Sequence, residues 1–253
     1  MEIRLWGMVT AVVGAGAVPS APGRAKSLLA CLAWQPGQLV PDELLIERIW
    51  DDRLPADPQD ALYTCAKRLR RSLAAGGGRA DRLARHRGGY LLDAPPRSVD
   101  IHRFRSLVRQ AQLARDRAAA AFLYERALKI THGVPLADVE SAWADRIRQA
   151  LEQERLSAEL AAAGAWLDCG HHRELVPELA RLAAHHPLNE EVARLLMRAL
   201  HRSGQPAAAL AQYRRIRDEL AEELGVDPGP GLRAAYEELL ALGQQRCAPA
   251  LGR

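Results

Sequence analysis

The sequence predicts a mainly α protein, with a small α+β N-terminal part followed by an all-helical remainder. Three observations carry that reading. Residues 60–92, DALYTCAKRLRRSLAAGGGRADRLARHRGGYLL, contain an amphipathic helix, a glycine-rich break and a short basic hairpin. The run DAPPRS at 93–98 ends that pattern, because its two prolines cannot continue a hairpin strand and make a stiff, short connection. Beyond it, seven successive stretches place apolar residues three and four apart. A chain of 253 residues with 48% hydrophobic content is long enough for one or two domains with ample cores. The expected layout is an N-terminal domain over 1–93, a linker over 94–99, a helical domain over 100–243 and a disordered tail over 244–253.

Taken in order, residues 1–13 (MEIRLWGMVTAVV) read as a strand, with Ile3, Leu5, Met8, Val9 and Val12 as its apolar positions. Residues 14–23 are rich in Gly, Ala and Pro and read as turns with room for a second strand. A first helix covers 24–34, with Leu28, Leu29 and Leu32 at core spacing and Pro36-Gly37 as its stop. Leu39-Val40 is a short extended piece. A second helix covers 41–50, with Pro41 near its start. Asp42 and Glu43 fall in its first turn, where the helix dipole favours carboxylates. A Pro/Asp loop over 54–58 leads to the third, basic helix. Residues 82–92 then read as strand, Gly88-Gly89 turn and strand.

The third helix has two faces. At roughly 100° per residue, Leu62, Ala66, Leu69 and Leu73 form a core-facing stripe. Asp60, Thr64, Lys67, Arg68 and Arg71 fall on the opposite side. Between positions 67 and 87 there are eight Lys/Arg against one acid, a surplus of +7 in a chain whose net charge is +4. Residues 1–97 carry net +4 and residues 98–253 net zero, so the basic surface belongs to the N-terminal half. A local cationic cluster in a balanced chain is the electrostatic footprint of a nucleic-acid site. Strands, three helices and a basic hairpin together describe a winged helix. In that arrangement the third helix enters the major groove, and the hairpin lies along the backbone or in the minor groove.

After the linker, helices are expected over 100–115, 118–131, 141–169, 173–185, 189–203, 206–224 and 231–242. Gly170 and Gly204 lie 34 residues apart, each ends one helix, and each precedes a Leu/Ala-rich helix. That period, with ALHRSGQPAAALAQYRRI, matches the tetratricopeptide repeat. The small residues Ala207, Ala208 and Ala209 are expected to let neighbouring helices approach. Such a stack builds a concave protein-binding surface; a bundle serving only as a dimer handle is the alternative.

Several segments in order and spacing carry a family resemblance: LACLAWQPGQLVPDELLIERIWDDRLP, LYTCAKRLRRSL, HRGGYLL, VDIHRFRSLV, and the long HPLNEEVARLLMRALHRSGQPAAALAQYRRIRDELAEELGVDPGPGLRAAYEELL. The resemblance covers nearly the full chain, from residue 1 to about 242. The sequence resembles the Streptomyces antibiotic regulatory protein family of transcriptional activators, in its short two-domain form. The resemblance implies an OmpR-type winged helix followed by an all-helical bacterial transcriptional activation domain. It also implies binding to direct repeats in promoters of secondary-metabolite (antibiotic) clusters, and recruitment of RNA polymerase holoenzyme. This chain departs from the family at Cys65, where an aromatic is common, and at Lys67, where a small hydroxyl residue is common. Both lie on the reading helix, so the preferred DNA sequence does not transfer from relatives.

Other function classes find little support. GxxxxGK[ST], HExxH, GxSxG and paired CxxC are all absent, so neither an enzyme nor a cofactor is expected. Adjacent histidines on a helix point about 100° apart, so the doublets His171-His172 and His185-His186 each offer one ligand direction at most and read as caps or surface residues. Cys31, Cys65, Cys169 and Cys247 are scattered and read as reduced residues of a cytoplasmic protein. No apolar run approaches 18 residues and no signal-peptide core is seen, so no membrane contact is expected. No receiver segment is seen, so gating by an attached phospho-acceptor domain is not expected.

The expected DNA-contacting residues are therefore Thr64, Lys67, Arg68 and Arg71 in the major groove, and Arg85, His86 and Arg87 on phosphates or in the minor groove, with Lys26 adding a phosphate contact. The partners are double-stranded promoter DNA, polymerase, and a second copy bound about one helical turn away on the same duplex face. A helical-repeat scaffold and a repressor using the same winged helix remain as alternatives.

Overall fold

The structure, a computed structural model, describes residues 1–13, 16–17, 23–75 and 82–247. Arg79, Asp81 and the final part of the expected tail, 248–253, lie outside these residues. Among the described residues the chain forms two compact units, one of residues 1–112 with 123–158 and the other of 113–122 with 159–253.

The first unit opens with an antiparallel sheet of β1 (Glu2–Arg4), β2 (Thr10–Val13) and β3 (Gly16–Ala17), in that order. The single strand expected over 1–13 is thus two strands and a loop. Gly7, at φ +86°, turns the chain, and the amides of Leu5 and Trp6 donate to the Asp100 carboxylate instead of to a strand. Ile3, Leu5 and Val9 are buried as expected, whereas Met8 rides on the loop at 59% exposure.

Next come α1 (Arg24–Trp34), β4 (Leu39–Pro41), α2 (Asp42–Trp50), α3 (Pro58–Ala75), β5 (Leu83–His86) and β6 (Gly89–Leu92). The second sheet is antiparallel in the order β4-β6-β5. Leu28 and Leu32 of α1, Leu45 and Ile49 of α2, and Leu62, Leu69 and Leu73 of α3 are essentially inaccessible. Each such side chain contributes about 1.5–3 kcal/mol when taken out of water, which is why the stripe on α3 determines which way its basic face points.

Residues 94–99 are built into this unit. Residues 96–98 form a 3-10 turn, Ala94 and Val99 are buried, and Val99 bridges Ile3. The helix α4 (Asp100–Leu113) begins with the buried Asp100, which accepts from the amides of Leu5, Trp6 and Ile101 at 2.7–3.0 Å. Burial raises this carboxyl above its ordinary range, against the opposing pull of those backbone donors. The helix α5 (Arg117–Leu128) is followed by a segment woven into the N-terminal strands: Leu136 donates to the carbonyl of Leu5 and Ala137 to that of Gly7. The helix α6 (Ala142–Asp168) begins in this unit and ends in the other.

The second unit contains α7 (His172–His185), α8 (Glu190–Arg202), α9 (Pro206–Leu224) and α10 (Pro230–Cys247), so that helix 10 runs into the tail expected from 244. The central helix is α8, which packs on α7, α9 and α10 and buries Val192, Leu195, Leu196, Met197 and Ala199. Asn189 caps it, its side chain accepting from the amides of Glu191 and Val192 at 3.1 Å. Gly204 turns at φ +83° between α8 and α9, and Gly170 at φ +95° before α7, giving the expected helix-pair spacing. Of the three small residues opening α9, only Ala209 is buried; Ala207 and Ala208 face water.

Candidate nucleic-acid interface

The helix α3 starts on Asp57, whose carboxylate accepts the amide of Asp60 at 3.0 Å and so satisfies a free N–H of the first turn. Burial of Leu62, Cys65, Ala66, Leu69 and Leu73 presses one face into the core. Lys67, Arg68 and Arg71 stand exposed on the other, and Thr64 is half-buried beside them. None of the three cations has a carboxylate partner among the described residues. Cys65 is buried on the core side, and burial pushes its thiol above the usual range.

The hairpin is held by a compact set of contacts. His86 pairs with Gly89, leaving Arg87-Gly88 as a two-residue tip with Gly88 at φ +79°. A Cβ on Gly89 would stand 2.4 Å from the carbonyl oxygen of Val40, so only glycine lets β6 approach β4. The Asp42 amide donates to the Gly88 carbonyl at 3.0 Å, tying the tip to the start of α2. His86 and Arg87 are exposed.

Two residues expected to contact DNA are committed elsewhere. Arg85 makes two hydrogen bonds to the buried Asp42 carboxylate, the Nη2–Oδ2 contact being 2.8 Å, and lies 4.6 Å from the centre of the Tyr90 ring. The hydrogen bond to Asp42 is the main reason its guanidinium sits above the ordinary range. Lys26 turns away from solvent and pairs with Asp138 at 2.6 Å, both side chains under one-fifth exposed. Asp138 also accepts the Val9 amide at 2.8 Å. A lysine so enclosed cannot reach a phosphate without giving up a partly buried ion pair.

Other features were not anticipated. Arg70, counted in the basic cluster, donates from Nε to the Leu83 carbonyl at 3.0 Å and anchors α3 to β5. Tyr63 is 57% exposed on α3, one turn before Lys67; its i, i+4 relation to that lysine was the available signal. The histidine doublets hold local structure: the His171 ring packs edge-on against Trp166 at 4.8 Å, and His185 Nδ1 lies 2.8 Å from the Arg181 carbonyl oxygen. Among the described residues no group of three or more His, Cys, Asp or Glu could hold a metal, and no helix is long and apolar enough to cross a membrane.

A helix with one cationic, unpaired face beside a glycine-tipped basic hairpin, in a chain that continues as a helical array, defines a winged-helix regulator with a helical effector half. Comparison with known proteins agrees at both ends. Residues 20–92 match the family described as "Transcriptional regulatory protein, C terminal", and residues 99–240 match the bacterial transcriptional activator domain. The chain is 35% identical to the regulatory protein AfsR of Streptomyces griseus over 99% of its length, though it spans only 26% of that relative. It is 31% identical to the regulatory protein DnrI of Streptomyces peucetius, covering 95% of this chain and 92% of DnrI. A solved structure of Mycobacterium tuberculosis EmbR, in complex with a low-affinity phosphopeptide, superimposes with a TM-score of 0.91 at 28% identity, over 95% of this chain and 65% of that one. The chain belongs to the Streptomyces antibiotic regulatory protein family of transcriptional regulators.

Proposed function

We propose that this protein is a sequence-specific DNA-binding transcriptional activator, with residues 1–93 as the DNA-binding domain and 100–243 as the activation domain. The observation that carries the reading is the outward face of α3, where Lys67, Arg68 and Arg71 stand exposed with no carboxylate partner among the described residues, beside the exposed His86 and Arg87. Unpaired cations on a helix held rigid by its opposite face suit guanine O6/N7 or flanking phosphates. Thr64, Lys67, Arg68 and Arg71 line the major groove in this reading, and His86 and Arg87 hold the backbone. Arg85 and Lys26 act one step back, by fixing the hairpin and the first helix.

Family membership supports the rest: direct repeats in the promoter of a secondary-metabolite cluster, two copies on one duplex face, recruitment of RNA polymerase, and work in the cytoplasm without catalysis. The test is fluorescence anisotropy on the protein's own upstream DNA and on a scrambled duplex, at two salt concentrations. Tight binding that prefers the upstream DNA and falls steeply with salt is expected, because each phosphate contact releases counterions. Equal affinity for both duplexes would reject sequence-specific reading. A reporter assay on the same promoter then separates activation from repression.

A further inference from the structure

A groove of about 690 Å³ runs along the first unit between the outer face of α4 and the end of α5. Five cationic side chains line it: Arg97 from the 3-10 turn, Arg103 and Arg109 from α4, and Arg126 and Lys129 from the end of α5 and just beyond. Among the described residues no carboxylate lines it. Only Arg103 of the five is neutralised among the described residues, by Glu2 at 2.8 Å. Several arginines nearby and along the helical half are paired instead. Arg105 binds Glu154, Arg148 binds Asp145, Arg181 binds Glu178 and Arg194 binds Glu191. Arg109, Arg126 and Lys129, all in the half with no net charge, thus line one concave place without a carboxylate partner among the described residues.

The floor and walls narrow the ligand. Ser106 and Gln110 add neutral hydrogen-bonding groups, and Leu107 and Ile130 add apolar lining. Ser106, Leu107 and Gln110 lie on the same stripe of α4 as Arg103, so the groups converge instead of being spread around the helix. The volume falls within the usual range for a small-molecule site, about 300–1,000 Å³. Guanidinium forks match phosphate geometry.

We propose that this groove is a binding site for a small organic phosphate carrying two or more negative charges, its phosphates held by Arg109, Arg126 and Lys129 and its less polar body resting on Leu107 and Ile130. The groove shares none of the residues assigned to DNA, and the proposal stands without that assignment. It gives the regulator a ligand input through the helices that follow the winged helix.

Isothermal titration calorimetry of the full chain at low salt, with inorganic pyrophosphate and with ATP in the absence of magnesium, tests it. One equivalent of ATP is expected to bind more tightly than pyrophosphate, because only ATP has a body to cover the apolar lining. The R109A/R126A variant should weaken both by tenfold or more; both side chains are exposed and make no side-chain hydrogen bond or ion pair among the described residues, so the variant is expected to fold. The R71A/R87A variant should leave both affinities within twofold. The opposite pattern, loss in R71A/R87A and retention in R109A/R126A, would place the anions on the reading helix and overturn the proposal. So would the lack of any saturable heat at millimolar probe. Displacement of ATP by a short duplex lacking the promoter repeats, in the R71A/R87A background, would reassign the groove to DNA backbone.

Discussion

Under the proposed function, single side chains divide into those that read DNA and those that hold the fold. Lys67 and Arg71 are exposed, and either replaced by alanine is expected to lose about 1–3 kcal/mol of binding to the upstream DNA where it contacts a base. A phosphate contact would instead weaken all duplexes alike and lower the salt slope by about one, so anisotropy on cognate and random DNA distinguishes the two. Asp42 belongs to the holding class. Its replacement by alanine leaves Arg85 with its 3.2 Å bond to the Gly89 carbonyl but without the two to Asp42, and thermal unfolding should show a loss of about 1–2 kcal/mol, the partly exposed guanidinium recovering some hydration. His102 adds a pH dependence. Burial and then the charge of Arg105 lower its pKa below 6.5, while Nε2 lies 3.2 Å from the Trp34 carbonyl oxygen. The unfolded state therefore binds the extra proton first, and the contribution of His102 to stability is lost as pH falls from about 6.5 toward the depressed folded value. H102Q should flatten this part of the stability–pH curve measured by urea denaturation; an unchanged slope would assign it to other groups.

At the scale of elements, the helix and the hairpin are positioned by different forces. Burial sets α3, since its leucine stripe decides the rotation that turns Lys67, Arg68 and Arg71 outward. Backbone geometry sets the hairpin, since β6 approaches β4 too closely for any side chain at position 89. Gly89→Ala is expected to destabilise the protein by about 1–3 kcal/mol, as over-packing against fixed backbone does. It should also lower DNA affinity by displacing His86 and Arg87 even at temperatures where the variant is folded. Gly88→Ala meets open space but keeps a left-handed backbone, so its cost should be smaller, about 1 kcal/mol. Equal melting temperatures for Gly89→Ala and the parent would contradict the close approach.

For the whole molecule, the proposed activator places two copies on neighbouring repeats, on one face of the duplex. Insertion of about half a helical turn between the repeats rotates one copy to the far side, and promoter activity in a reporter strain is expected to collapse, while insertion of a full turn should restore part of it. Activity indifferent to spacing would rule out that arrangement. The anchoring of the strands to the later chain is a second property of this scale. Asp100 and Asp138 hold the amides of Leu5, Trp6 and Val9 from positions about 95 to 129 residues away in sequence. Such contacts close long loops and form only when both ends have folded.

Local pattern alone determined the helices, the hairpin, the buried stripe of α3 and the exposed cations on its other face, because these follow from side-chain periodicity within one element. Tertiary structure alone decided which cations remain free. Arg70, Arg85 and Lys26 look the same in sequence as Arg71 and Arg87, but the carbonyl of Leu83 and the carboxylates of Asp42 and Asp138 claim them. It also decided that residues 1–13 form two strands and that Met8 faces solvent, because a carboxylate some 95 residues away takes the amides a strand would have used. A charge or an amide is finally assigned by the partner that folding brings to it, and sequence neighbours do not reveal that partner.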